Sequence, residues 1–214
     1  MFENVLSQKA QAVLSNLSGL IKEWNFYLAG GSGLALQIGH RFSEDLDFFR
    51  QGSFDTQRLS LILGHKANSL NYILEEENSL VVEYDDLHLS FFHYTVPLIY
   101  PPVTLIGTPV ADWRDIVAEK FKTLSQRGSK KDFYDLYEIF TFGHLTIQEG
   151  VGIFKNRFEG TGINLYHVLR SLTFFEDAEG EPKPSLLLHQ YGWEEVKIFF
   201  KDQIKEFERY LLYP

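Results

Sequence analysis

The sequence predicts an α+β protein, a mixed sheet flanked by helices and followed by a helical region. Three observations carry this expectation. Between Tyr72 and Tyr94, short apolar runs are separated by turn residues, the pattern of successive strands. Near both ends of the chain, apolar residues recur every three or four positions, which marks amphipathic helices. After Pro109 the strand-like runs stop and helical periodicity takes over. The expected division is an α/β core over residues 1–108 and a helical region over 109–214.

In order, Phe2, Val5, Leu6, Ala10, Val13, Leu14 and Leu17 define one face of a first helix, expected to end near Ser18-Gly19. Trp24 to Ala29 reads as a buried strand. Gly30-Gly31-Ser32 forms a turn, and Gly33 to Ile38 a short helix with Gly39 as its C-cap. A polar loop, His40 to Ser43, leads into a strand from Asp45 to Phe49. Asp55 to about Asn68 is a helix with Leu59, Ile62 and Leu63 inward. Strands follow at 72–74, 80–84 and 87–94, with turns at Asn78-Ser79 and Asp85-Asp86. Pro97, Pro101 and Pro102 mark a loop before a short strand at 103–106.

Beyond it, Asp112 is placed to cap a helix over 113–126 that Gly128 stops. Ser129 begins a second helix running to about Phe142. Helices are expected at 147–158 and 162–175, a loop at 176–185, and a last helix at 193–211. Its inward face carries Val196, Phe199, Phe200, Ile204 and Phe207.

Composition narrows the function. The chain of 214 residues has no cysteine, which excludes disulfides and thiolate metal sites and fits a reducing cytoplasm. Its N-terminus lacks the pattern of a signal peptide. No apolar run approaches the roughly 18 residues of a membrane span, so no membrane partner is expected. A formal net charge of −9 argues against general coating of nucleic acid, since that affinity comes from neutralising phosphates. The one dense basic cluster, Arg127 to Lys131, is a candidate phosphate contact.

The chemistry centres on Phe26 to Phe49. Asp45 and Asp47 are two apart on a strand, so their carboxylates share a face. Leu46, Phe48 and Phe49 make that strand largely apolar, and two acids there require a compensating cation. Gly30-Gly31-Ser32 allows backbone amides to approach an anion at a helix N-terminus. Phosphate beside metal suggests phosphoryl or nucleotidyl transfer. In the helix over 113–126, Lys120 lies on or beside the apolar face with Ile116, Val117, Phe121 and Leu124, and can snorkel, pair or grip phosphate. Asp132 and Asp135 share a helix face. Asp132 suits the dipole of a helix start, whereas Asp135 sits among apolar neighbours and is the better functional acid, pairing with Lys120 or Arg41 or assisting the metal site. The seven histidines show no metal spacing. There is no Gly-x-Ser-x-Gly elbow and no Walker-type Gly-Lys-Ser.

Gly30-Gly31-Ser32, followed by Gly39-His40-Arg41-x-Ser43-x-Asp45-Leu46-Asp47-Phe48-Phe49, resembles the AbiEii/AbiGii-type nucleotidyltransferases of the DNA polymerase β-like superfamily. Asp115-Ile116-Val117-Ala118-x-Lys120 and Arg127-Gly128-x-Lys130-Lys131-Asp132-Phe133-x-Asp135-Leu136 resemble that family's second signature. The resemblance implies a minimal polymerase β-like sheet flanked by helices, and Mg²⁺-dependent transfer of NMP from an NTP, with Mn²⁺ as an alternative ion. It implies metal binding by Asp45 and Asp47, and catalytic roles for Asp45, Asp47, Lys120 and Asp135. Nucleotide contacts would come from Gly30, Gly31, Ser32, Arg41, Ser43, Lys120 and Lys131. The acceptor would be a tRNA-like RNA or a protein, and a cognate antitoxin the partner of a bacterial toxin. The wider superfamily often carries a third acid on a later strand. That place holds Ser90, with Glu83 on a neighbouring strand. A catalytically weak or inactive nucleotide-binding module on the same fold is therefore the alternative.

Overall fold

The computed structural model describes residues 2–213. They form two compact units that divide after Asp112.

The first unit begins with a 3-10 turn, Glu3–Val5, and then α1 (Gln8–Glu23). The first helix thus starts later than its periodicity suggested. Ser7 is the reason, since its side chain accepts from Ala10 N at 3.1 Å and caps the helix. The helix also continues through Gly19, because Leu20 and Ile21 extend its buried face; burial there outweighs the roughly 1 kcal/mol that an interior glycine costs. β1 is only Tyr27–Leu28. The positions before it turn out of the helix, with Asn25 at φ 54° and Phe26 N donating back to Ile21 O at 2.9 Å.

α2 (Gly30–Ile38) follows directly and ends at Gly39, left-handed at φ 73°. β2 is Leu46–Arg50, α3 is Thr56–Lys66 capped by Asp55, and β3 (Leu70–Glu76), β4 (Ser79–Tyr84) and β5 (Leu87–His93) complete an antiparallel meander. β6 (Val103–Leu105) and β7 (Thr108–Val110) form a hairpin through Ile106 and Gly107, at φ 48° and 71°. Positive φ at both central residues is what a two-residue hairpin turn of matching twist requires. The seven strands lie in the order β3-β4-β5-β2-β1-β7-β6. β2 pairs parallel with β5 and antiparallel with β1, and β1 pairs parallel with β7. The apolar face carries Leu46, Phe48, Leu89 and Phe91, all fully buried. The Phe48 and Phe91 rings stack at 5.0 Å, and Phe26 meets Phe91 edge-on at 5.3 Å.

The second unit is helical: α4 (Trp113–Arg127), α5 (Lys130–Thr141), α6 (Ile147–Arg157), α7 (Leu165–Ser171), α8 (Glu176–Glu179) and α9 (Trp193–Leu212). Val196, Phe200, Phe207 and Leu211 are the buried face of α9. Phe121 packs with Phe140, Phe154 and Phe207, while Phe133 packs with Phe175, Trp193 and Phe200. Each such ring contributes about 1.5–3 kcal/mol on burial. α7 is shorter than its pattern suggested, because Gly160 and Gly162 hold positive φ and Asn164 caps the helix that begins at Leu165, its side chain accepting from His167 N. The segment expected as a loop contains the single turn α8. Ser129 precedes α5 but does not cap it; its hydroxyl donates to Glu181 Oε2 at 2.9 Å. Among the described residues, no helix is long and apolar enough to cross a membrane.

Candidate active site

The first unit brings the Gly-Gly-Ser segment and the paired acids together. Ala29, the residue after β1, donates its N–H to the Asp47 carbonyl at 2.9 Å, so the start of α2 is registered on β2. Asp45 immediately precedes β2 and Asp47 is its second residue. Alternation places both carboxylates on one face and Leu46 and Phe48 on the other. The acids are half-buried and the apolar pair fully buried.

The glycines have a steric reason. Gly30 sits at φ 61°, and a Cβ there would lie 2.5 Å from Asp47 Oδ2. A Cβ on Gly31 would collide with Arg41 Nη2 and come within 3.4 Å of Ser43 Oγ. The N-terminal turn of α2 is thereby flanked by a carboxylate on one side and a guanidinium on the other. Backbone N–H groups of a first turn lack partners within their own helix, and with the helix dipole they favour an anion. Arg41 is 2% exposed and donates from Nη1 to the Phe42 carbonyl at 3.1 Å.

Ser32 is buried, and its hydroxyl meets the carbonyl oxygen of Asp45. A carbonyl can only accept, so Ser32 donates there. The Ser43 hydroxyl, 2.9 Å from Ser32 Oγ, is then placed to donate to it. Ser43 N donates to Val5 O at 3.0 Å. The Ser32 side chain therefore ties α2 to the backbone that carries Asp45.

Asp47 stands opposite Ser90 across the parallel β2–β5 ladder, and Ser90 is buried. Glu83 is exposed on β4, opposite His88, and accepts from Asn71 Nδ2 at 3.0 Å. Among the described residues, no three His, Cys, Asp or Glu side chains gather where they could hold a metal ion. The donor set at the acids is two carboxylates. That fits Mg²⁺, which takes one or two protein carboxylates and completes its shell with phosphate oxygens and water.

In the second unit, Lys120 of α4 is 5% exposed. Its Nζ lies 2.6 Å from Asp132 Oδ1 and 2.7 Å from Asp135 Oδ2. Both acids belong to α5 and are themselves buried. Asp132, which sequence reasoning assigned to the helix dipole, thus shares the ammonium with Asp135. The i, i+3 spacing was the available signal. The basic cluster divides: Lys130 is buried, its N–H donating to Glu181 Oε2 at 2.7 Å and its Nζ to the Glu179 carbonyl at 3.2 Å. Lys131 is exposed, and Arg127 Nε stands 3.6 Å from Asp132 Oδ2. A further buried pair was not foreseen. Arg157 Nη1 meets Asp115 Oδ1 at 2.8 Å and the Asp115 carbonyl at 2.9 Å.

The fold is that of nucleotidyltransferases. MenT4, a nucleotidyltransferase toxin from Mycobacterium tuberculosis H37Rv, superimposes with a TM-score of 0.54 at 15% identity, covering 94% of this chain and 86% of that one. A putative nucleotidyltransferase from H. pylori gives 0.53 at 18% identity, covering 96% and 97%. JHP933 from Helicobacter pylori gives 0.53 at 16%, covering 96% and 94%. The sequence model described as "Nucleotidyl transferase AbiEii toxin, Type IV TA system" matches residues 12–208. The chain belongs to this AbiEii nucleotidyl transferase toxin family. The Aquifex aeolicus (strain VF5) "Uncharacterized protein aq_aa25" is 34% identical over 187 residues, 86% of this chain and 88% of that protein.

Proposed function

We propose that the chain transfers a nucleoside monophosphate from an NTP to a hydroxyl of a tRNA-like RNA or a protein, as the toxin of a bacterial toxin–antitoxin or abortive-infection system. The observation that carries this reading is the Asp47 carboxylate held against Gly30 at the start of α2. It supports the reading because the first turn of α2, which favours an anion, and two carboxylates, which favour a cation, belong to one unit.

In this reading Gly30, Gly31 and the Ser32 backbone cradle the triphosphate, with Arg41 and Ser43 behind the turn. Asp45 and Asp47 hold Mg²⁺, for which Mn²⁺ can substitute. An ion held by Asp45 and Asp47 would supply positive charge to the phosphate oxygens. The acceptor hydroxyl gives up its proton to solvent as its oxygen bonds to the α-phosphorus, the bond from that phosphorus to the oxygen shared with the β-phosphate breaks, and pyrophosphate leaves with the electron pair. Positioning and electrostatics supply most of such catalysis. Lys120, oriented by Asp132 and Asp135, serves as a catalytic cation, and Lys131 as a nucleotide contact. A cognate antitoxin and a cytoplasmic location complete the reading.

Ser90 opposite Asp47 favours one second reading, a nucleotide-binding module that turns over weakly or not at all. Pyrophosphate release separates the two. With Mg²⁺, an NTP and total cellular RNA or protein, the transferase releases pyrophosphate in proportion to acceptor. Binding of NTP without pyrophosphate from any acceptor fraction supports the module.

A further inference from the structure

We infer that Phe49 and Phe92, with Tyr27 beside them, form the platform on which the nucleobase of the incoming NTP stacks. The inference rests on the reading of Asp45 and Asp47 proposed above, and it adds residues that hold the other end of the same nucleotide.

The rings and the acids share one face of the sheet. Asp47 and Phe49 are alternate residues of β2, so their side chains leave the strand on the same side. Phe49 stands opposite Phe92 of β5 and Tyr27 of β1, and residues directly opposite in a sheet meet on one face. The Phe49 ring lies 5.8 Å from that of Phe92, at 36°, and 6.3 Å from that of Tyr27, at 32°. Three rings thus run side by side across the neighbouring strands β5, β2 and β1. Tyr94 meets Phe49 edge-on, with centroids 5.8 Å apart and planes at 71°. It follows Phe92 on β5, so it stands at the end of the row away from Asp47.

The other face is the filled one. Leu46, Phe48, Leu89 and Phe91 are fully buried there. α3 packs on that side, since the Ser60 hydroxyl donates to the Tyr72 hydroxyl at 3.0 Å, and Tyr72 is in register through Val82 and Leu89 with Leu46. Phe49, Phe92 and Tyr94 are only half-buried, so this row of rings does more than fill a core. Two residues separate Asp47 from Phe49, about 7 Å along the strand. With the phosphates at the acids and the first turn of α2, the base of the same nucleotide falls within reach of the row. A nucleobase is the planar part of an NTP, and stacking on aromatic side chains holds any of the four bases because each has a π-face. Continuity with the acid pair on one face therefore selects the NTP base as the occupant.

The test is calorimetric titration of the full chain, with Mg²⁺ and without acceptor, by each of the four NTPs and by inorganic tripolyphosphate. At least one NTP should bind tenfold or more tightly than tripolyphosphate. Phe49→Leu and Phe92→Leu should each remove about fivefold or more of that advantage and leave tripolyphosphate binding unchanged, while Phe49→Tyr keeps it. The base protons of the bound NTP should move upfield in wild type, under the ring currents of the platform, and not in Phe49→Leu. Thermal unfolding checks each fold; if neither leucine variant folds, the proton shifts in wild type and Phe49→Tyr decide. Equal binding of NTP and tripolyphosphate, NTP affinity unchanged in both leucine variants, equal weakening of both ligands, or no upfield shift in wild type would overturn the platform and leave the acid pair's role standing. So would a leucine variant that binds NTP normally but needs more RNA for half-maximal transfer, since the occupant would then be an acceptor base. Binding of neither NTP nor tripolyphosphate by wild type would overturn the platform and the acid-pair reading together.

Discussion

Asp47 Oδ2 occupies the space beside Gly30 so closely that a Cβ on the glycine would stand 2.5 Å from it. The glycine is thus a condition for the carboxylate's position as well as for the turn. Gly30→Ala would place an alanine at φ 61°, a left-handed conformation costing about 1–2 kcal/mol, and would displace Asp47. Thermal unfolding should show that loss, and nucleotidyl transfer should fall at least tenfold. Full transfer in a destabilised Gly30→Ala protein would separate the glycine from the site.

Ser32→Ala tests the tie between α2 and Asp45. It removes the donor to the part-buried Asp45 carbonyl, at a cost of about 1 kcal/mol for the lost hydrogen bond. If the hydroxyl acts by fixing Asp45, the Mg²⁺ concentration for half-maximal transfer should rise while the KM for NTP changes less. A change in the NTP KM alone would point to direct phosphate contact.

How far the sequence reveals this arrangement depends on the range of each interaction. Spacing alone showed that Asp45 and Asp47 share a face and that Gly39 ends α2, because both are local backbone properties. The opposition of Asp47 and Ser90 depends on a crossover register, although the motif order had already marked Ser90 as the residue in place of an acid. β7 was missed because it has three residues, one of them Pro109, and is held by pairing with β1 over a long sequence separation. Asp132 looked like a helix-start acid because its partner, Lys120, lies on another helix.

The Lys120 cluster predicts an asymmetric response to mutation. Lys120→Met leaves Asp132 and Asp135 buried without their shared cation, and loss of one member of a buried ionic cluster costs about 3–5 kcal/mol. Adding Asp132→Asn and Asp135→Asn should recover most of that stability. Denaturant unfolding of the single, double and triple variants measures the coupling. Additive losses would mean that the three groups do not act as a unit. Transfer should remain low in the triple variant even where stability returns, if Lys120 is a catalytic cation.

Alkaline pH should unfold the chain through its buried phenols. Burial raises the pKa of Tyr84, Tyr134, Tyr137 and Tyr191 above the ordinary tyrosine value. For Tyr191 the nearby Glu138 charge adds to that, and the phenol donates to Glu138 Oε2 at 2.9 Å. The folded state then holds these protons more tightly than the unfolded state. Stability is fully present below the unfolded tyrosine pKa of about 10 and falls as pH rises above it. Phenolate absorbance should appear for part of the tyrosines only together with loss of far-ultraviolet circular dichroism. Ionisation of all eleven tyrosines in a folded chain would contradict this.

The central claim is that Asp45 and Asp47, set against the first turn of α2, carry nucleotidyl transfer. The most direct test is label transfer from each α-³²P NTP, with Mg²⁺, to fractionated cellular RNA and protein by wild type, Asp45→Asn and Asp47→Asn. The account predicts one labelled acceptor class with wild type and at least a hundredfold less label with either variant, while both variants unfold near the wild-type temperature. Undiminished labelling by folded Asp45→Asn or Asp47→Asn, or no labelled acceptor with wild type, would contradict it.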